Sequence, residues 1–218
     1  MTAPGPDRWN KLWRQVTAKD DPLPIYQELV ALYSQPHRHY HNLRHIAECL
    51  TEFDSARNLA HQPVAVELAI WLHDAIYDTH AQDNEEQSAG LARRRISEAG
   101  GDKDLCASVI ALIMATKRHD ASLHPDAPLL IDVDLSILGR PEERFLEYEA
   151  QIRREYEWVP EENFALKRAE ILKCFLARKH IYATDAFFGR FESEARRNLQ
   201  NSLRQLTALG HRGMDKNQ

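Results

Sequence analysis

The sequence predicts an all-α fold, and three observations predict it. Apolar residues recur mostly at steps of three and four along nearly the whole chain, the period of a helix with one buried face. No repeat, low-complexity tract or Pro/Gly/Ser-rich linker interrupts the 218 residues, so one helical domain over 1–218 is the simplest expectation. The breaks between periodic stretches carry helix-ending and helix-starting chemistry: Pro63, Pro141 and Pro160 suit first-turn positions, and Gly100 with Gly101 stops a helix.

Taken in order, a loose start over residues 1–6 gives way to helices over about 7–18, 22–34, 41–60, 63–78, 84–99, 102–118, 129–139, 141–157, 160–180 and 185–209, before a loose tail over 211–218. Asp83 or Asn84, followed by Glu86 or Gln87, offers an N-cap with a capping-box partner. In the last helix Phe188, Phe191, Ala195, Leu199, Leu203 and Leu206 form one apolar stripe, with Arg196, Arg197 and Arg204 mostly away from it. Such a stripe can close either a monomer core or a homodimer.

At 43% hydrophobic and 28% charged residues the chain reads as an ordinary soluble globule. Its formal charge of −5, with no basic block, argues against a nucleic-acid polymer as partner. The opening "MTAPGPDRWN" lacks the basic-then-apolar pattern of a secretory signal, and apolar runs such as "VIALIMA" fall short of a bilayer span. A cytoplasmic protein with no membrane partner is expected. Cys49, Cys106 and Cys174 are odd in number and far apart, which indicates neither a disulfide framework nor a thiolate zinc site; core or half-buried thiols are expected.

Three stretches carry candidate chemistry. "HRHYHNLRHI" puts His37, His39, His41 and His45 into ten positions, and His41 and His45, four apart, would project from one side of a helix. His37 and His39 read as loop residues. In "AVELAIWLHDAIYD" a helix would set His73 beside Ala69, Ile70, Ile76 and Tyr77, and Asp74 over Ile70, Trp71 and Tyr77. An ionised carboxylate in such company is costly unless a cation or a set of donors meets it.

In "PLLIDVDLSILG" the two aspartates diverge by about 200° around a helix. Asp134 shares its face with Leu130, Ile131, Ile137 and Leu138, which makes it the better inward ligand; Asp132 lies nearer Pro128, Ser136 and Gly139. Imidazole nitrogen and aspartate oxygen without thiolate suit a divalent manganese, cobalt, nickel, iron, zinc or magnesium ion.

"YHNLRH", then "LHD", then "DVDLS" resembles the ordered His, His-Asp, Asp signature of the HD superfamily of metal-dependent phosphohydrolases. "WLHDAIYD", "DNEEQSA", "ATKRH", "DVDLSILG", "RKHIYAT" and "EARRNL" extend the resemblance, over nearly the whole chain, to a bacterial family of predicted HD phosphohydrolases. It implies a bundle of helices around an ion held by His45, His73, Asp74 and Asp134. "YHNLRH" also resembles the Tyr-His-Asn-x-x-His motif of cyclic-nucleotide phosphodiesterases, which gives His41 the part of proton donor to the leaving oxygen and lets Asp74 bridge to a second ion.

The purine-gripping glutamine and aromatic clamp of those phosphodiesterases have no match here. Where HD nucleotidases carry a water-orienting glutamate, this chain has Tyr77 and Asp78. Asp78 and Glu85 are therefore candidates for that work, the latter in a stretch that reads equally well as a helix cap. The implied activity is hydrolysis of a small phosphoester, a nucleotide or other phosphorylated metabolite, by metal-activated water. Arg44, Lys117 and Arg178 are candidates to hold the phosphate, although Arg178 and Lys179 at a helix end are also favoured by its dipole. His119 could reach the site or cap its helix. Two other readings stand beside this one: a diiron oxygenase drawing on His119 and His124, and a non-catalytic module in which metal holds the helices together while a ligand is sensed.

Overall fold

The computed structural model describes the backbone of residues 4–214 and the side chains of residues 4–207. Among them are ten α-helices and no β-strand, so the all-α expectation holds. Two compact units are formed, Met1–Asp134 and Leu135–Gln218.

The first unit contains α1 (Pro6–Val16), α2 (Pro22–Tyr33), α3 (Leu43–Ala56), α4 (Pro63–Leu72), α5 (Asn84–Glu98), α6 (Lys103–Arg118) and α7 (Ala127–Asp134). Its centre is α4. Every residue from Ala65 to Leu72 is buried, and the helix is in contact with α1, α3, α5, α6 and α7. A helix apolar on all sides can only be stable with neighbours on all sides. The one charge in that run, Glu67, meets the guanidinium groups of Arg8 and Arg57. Trp71 meets Trp9 edge-on at 5.4 Å and Trp9 stacks on Trp13 at 5.2 Å. Each such aromatic pair adds about 0.5–1.5 kcal/mol beyond its buried area.

Both ends of α4 are held by side chains distant in sequence. At the start, the buried Asp126 carboxylate accepts from the backbone N–H groups of His61 and Gln62 at 2.8 and 2.7 Å. At the finish, Arg38 donates to the carbonyls of Asp74 at 2.6 Å and Ala75 at 2.8 Å. The helix stops at Leu72 rather than running to residue 78, and its last carbonyls are met from outside the helical ladder: that of Ile70 by the His73 ring, that of Trp71 by the Tyr33 hydroxyl and that of Leu72 by the Ala75 N–H.

The second unit contains a 3₁₀ segment, Leu135–Gly139, followed by α8 (Glu142–Glu155), α9 (Glu161–Ala177) and α10 (Asp185–Met214). The inward stripe of α10 is Phe187, Phe191, Ala195 and Leu199, whereas Phe188 is 41% exposed, which corrects the expected start of the stripe by one residue. The displacement follows from buried polar residues on that face. Glu192 accepts from the N–H groups of Ile181 and Tyr182, Asn198 donates to the carbonyls of Leu138 and Arg140, and Ser202 donates to Glu149. Arg196 is likewise not a solvated cation: it donates to the carbonyls of Leu176, Arg178 and Lys179, which ends α9 at Ala177. Arg197 and Arg204 are exposed, as expected.

Of the prolines, Pro63 opens α4, while Pro141 and Pro160 stand one position before α8 and α9 as their N-caps. Gly100 ends α5 with φ of 71°, a conformation that costs glycine little. Cys49 is buried and Cys106 half-buried, but Cys174 is exposed, contrary to expectation, because it lies on the outer side of α9. Of the expected loose ends, residues 1–3 and 215–218 lie outside the described residues, Pro6 already opens α1, and residues 211–214 continue α10. No helix among the described residues is long and apolar enough to cross a membrane.

Candidate metal centre

Three segments of the first unit bring His45, His73, Asp74 and Asp134 together. His45 lies in the first turn of α3, whose N-cap Asn42 accepts from the Arg44 N–H at 2.8 Å and donates to the His39 carbonyl at 2.8 Å. His73 caps α4 and Asp74 follows it in the turn. Asp134 is the last residue of α7. His45 Nε2 is 3.3 Å from His73 Nε2, 3.3 Å from Asp134 Oδ1 and 3.6 Å from Asp74 Oδ2. His73 Nε2 is 3.1 Å from Asp74 Oδ2 and 3.6 Å from Asp134 Oδ1.

With the two imidazole nitrogens, each carboxylate oxygen makes a set of three donors whose separations fit one divalent cation. Ligand atoms about 2.1 Å from a common ion are about 3.0 Å apart at right angles and about 3.4 Å apart in a tetrahedron. The protonation pattern fits as well. His73 Nδ1 lies 3.0 Å from the Ile70 carbonyl oxygen, which can only accept, so Nδ1 carries the hydrogen and the neutral ring turns the lone pair of Nε2 toward the cluster. Both rings are almost fully buried, while the Asp74 and Asp134 side chains keep 18% and 20% exposure, which leaves the carboxylate side of the cluster open to ligand.

Without a cation the group is held by protons. Burial disfavours the charged form of His73, but the Asp74 charge and the hydrogen bonds with Asp134 and Asp74 outweigh it and raise the pKa well above that of free imidazole. Burial likewise works against the two carboxylates, yet the surrounding histidines win: His73, His41 and His45 keep Asp74 well below its ordinary range, and His45 and His73 do the same for Asp134. A group in which the charges of lone-pair donors must be met by added protons is also one in which a cation can replace those protons.

Cys49 belongs to the same neighbourhood, with Sγ 3.7 Å from both Nδ1 and Nε2 of His45. With His45 and Asp134 it forms a second group of potential donors whose ligand atoms all lie within 4.8 Å of one another.

The other residues singled out in the sequence divide into those near the cluster and those committed elsewhere. His41 precedes α3 instead of lying within it, but its ring centroid is still 6.0 Å from that of His45; it stacks on Tyr77 at 4.2 Å and contributes to holding Asp74 ionised. Glu85 is half-buried near the start of α5; burial and then the Asp74 charge raise its pKa. Asp78, by contrast, is turned to solvent, where its carboxylate takes the His80 N–H at 2.8 Å and lies 3.1 Å from the His80 ring, so the expectation that it faces the cluster is corrected.

Asn84 closes this loop by pairing with both backbone groups of Asp78, at 3.0 and 2.9 Å. The α5 N-cap is Asp83, which accepts from the side chain of Gln87 in place of a reciprocal capping box.

Arg44 pairs with Glu48, and Lys117 pairs with Glu86 and donates to the Gln82 carbonyl at 2.8 Å. Arg178 belongs to the second unit, where its guanidinium lies over the Phe175 ring. His119 ends α6 in a left-handed conformation, φ 52°, and His124 Nδ1 accepts from the Asp126 N–H at 3.0 Å, which gives that imidazole a local structural role. His37 is in the loop and donates through Nε2 to the Tyr77 carbonyl.

Two residues escaped the sequence reading. Asp132 is completely buried, more so than Asp134, although helix geometry placed it off the inward face. Arg38 is only 5% exposed and binds four carbonyl or amide oxygens, those of Asp74, Ala75, His41 and Gln35. The available signal for Arg38 was its place between histidines in "HRHYHN", a stretch short of residues that need solvent.

No protein-family model matches the chain, and neither a curated protein nor a solved structure is similar to it.

Proposed function

We propose that the chain is an HD-type phosphohydrolase that uses one divalent cation, or two, to hydrolyse a small phosphoester. The observation that carries the reading is that an oxygen of each of two carboxylates lies 3.1–3.6 Å from both of two imidazole nitrogens, the four residues being drawn from three separate segments. An ion held there would lower the pKa of water and polarise a phosphoryl oxygen. The surrounding residues supply the rest. His41, beside the cluster but outside the donor set, is the candidate proton donor to the leaving oxygen; general-acid transfer of this kind contributes about 10²–10⁴-fold in rate.

Glu85, whose carboxyl is shifted toward neutrality by burial and by Asp74, is the candidate to orient the attacking water. A second ion would share Asp74, and His41 and Glu85 are both in electrostatic reach of that carboxylate. Arg44 and Lys117 can meet the phosphate only by exchanging their present carboxylate partners for it, which substrate charge favours. The diiron oxygenase reading, which would draw on His119 and His124, is separated from this one by metal counting and oxygen uptake. The reading gives the protein a phosphorylated small molecule as partner, neither nucleic-acid polymer nor membrane, and a cytoplasmic location.

The test is elemental analysis of the purified protein, followed by phosphate release from a panel of nucleotides, cyclic nucleotides and sugar phosphates with manganese, cobalt or magnesium. Bound metal with release that disappears in His73→Ala supports hydrolysis. Bound metal without turnover on any substrate would favour the sensing module, and a protein that takes up no divalent cation would sink the proposal.

A further inference from the structure

We propose that Arg38 is a positioning residue that ties the candidate proton donor His41 to the His73–Asp74 turn. The role of what is positioned rests on the metal-centre reading above, while the tie itself does not. One nitrogen of the guanidinium, Nη1, donates to both the His41 carbonyl at 3.2 Å and the Asp74 carbonyl at 2.6 Å. The other, Nη2, donates to the Ala75 carbonyl at 2.8 Å, and Nε donates to the Gln35 side chain at 3.1 Å. The guanidinium carbon lies 5.1 Å from the Tyr33 ring centroid and 5.5 Å from that of Tyr77. Tyr77 in turn stacks on the His41 ring.

A buried cation is tolerated only where acceptors and aromatic faces replace its water. Here they do so by gathering the backbone of two otherwise separate segments. The distance between His41 and Asp74 is thereby set by a rigid planar fork, whose three nitrogens reach Gln35, His41, Asp74 and Ala75 in a spread that lysine, with all its donors on one nitrogen, cannot reproduce. His37 strengthens the same clasp from outside through the Tyr77 carbonyl at 3.0 Å. The carbonyls that Arg38 reaches belong to the backbone of His41, Asp74 and Ala75, so it acts through the backbone it holds.

The experiment compares the full chain with Arg38→Gln, Arg38→Lys and, as a destabilised core control away from the clasp, Leu12→Ala. Amide hydrogen exchange in chelator-treated protein reads the tie directly. The amides of Ala75, Ile76 and Asp78 have partners in Leu72, Ser88 and Asn84. In Arg38→Gln they should exchange at least about tenfold faster while α1 and α2 are unchanged, because opening is local. Manganese titration by calorimetry reads the consequence: affinity should fall about 10–100-fold in Arg38→Gln, the range for loss of an outer-shell partner, be partly recovered in Arg38→Lys, and stay within about twofold in Leu12→Ala.

Unchanged exchange at residues 75–78 overturns the tie. Equal loss of manganese affinity in Leu12→Ala overturns the positioning role, since general loosening would then explain it. If the parent chain binds no manganese, the metal-centre reading fails, and the exchange measurement alone decides whether Arg38 holds the turn.

Discussion

His73 and Ile70 are joined by a hydrogen bond of 3.0 Å from the imidazole Nδ1 to the carbonyl three residues earlier. This bond fixes the tautomer of the ring before any ligand arrives. Replacing His73 by alanine should therefore remove both a donor and its orientation. Loss of an outer partner alone costs about 10–100-fold in metal affinity, so loss of this ligand should exceed about 100-fold. Calorimetric titration with manganese, with circular dichroism to establish folding, measures it.

The metal-free and metal-bound proteins should respond to pH in opposite senses. In the metal-free chain the raised pKa of His73 contributes stability that is complete below its ordinary value of 6.5 and is lost as pH rises through its folded-state value. The depressed pKa of Asp74 contributes stability present above its ordinary value of 3.8 and lost only as pH falls through the folded-state value. The chelated protein should thus melt highest at mildly acid pH and lower in alkali. Metal binding displaces the His73 proton, so affinity should rise about tenfold per pH unit until that group has titrated. Thermal melts with and without chelator across pH 4–9, about the range spanned by these groups, would show whether the two curves diverge.

His41→Ala should leave metal content unchanged and lower phosphate release by about 10²–10⁴-fold. The loss should be smaller for a nitrophenyl ester, whose leaving group needs little protonation, than for an alkyl phosphate. Equal losses on the two substrates would point to damage other than a missing proton donor.

Asp78 and Glu85, both nominated by the sequence, now separate. Asp78→Asn disturbs only the exposed turn with His80, so turnover should stay within about twofold, as for most surface changes. Glu85→Gln should reduce turnover by at least about tenfold with little change in metal affinity, the pattern of a positioned acid–base group. Paired steady-state kinetics on the two variants distinguishes the sites.

In the second unit, a Cβ added at Gly139 would lie 2.5 Å from the Phe191 Cβ and 2.8 Å from its carbonyl oxygen. Backbone cannot swing aside as a side-chain tip can, so Gly139→Ala should cost about 1–3 kcal/mol or more. At about 2–4 °C per kcal/mol for a chain of this size, the melting temperature should fall by several degrees.

The helices were legible because burial leaves a period in the chain, and His73, Asp74 and Asp134 because polar groups stand out in apolar company, whereas His45 joined them as a ligand through the resemblance of the motifs. Helix ends were less so. At the end of α4 the Trp71 carbonyl accepts from the Tyr33 hydroxyl, and at the end of α9 the Leu176 carbonyl accepts from Arg196, donors too far along the chain for a local pattern to register. Arginine in a sequence reads as surface until the carbonyls it reaches are known. The offset from Phe188 to Phe187 in α10 has a related cause: Glu192, Asn198 and Ser202 occupy the inner face as donors and acceptors to backbone and side chain, which hydropathy counts as outward. Asp78 was misplaced for want of the helix that ended before it.

The anchorage of α4 at Asp126 and at Arg38 makes this helix a ruler. One residue inserted between Gln62 and His73 would turn the imidazole about 100° and advance it about 1.5 Å, and no adjustment could keep both anchors engaged. The neighbouring loops can lengthen or shorten over generations, but the count of residues in this strut is fixed by the two side chains that grip it.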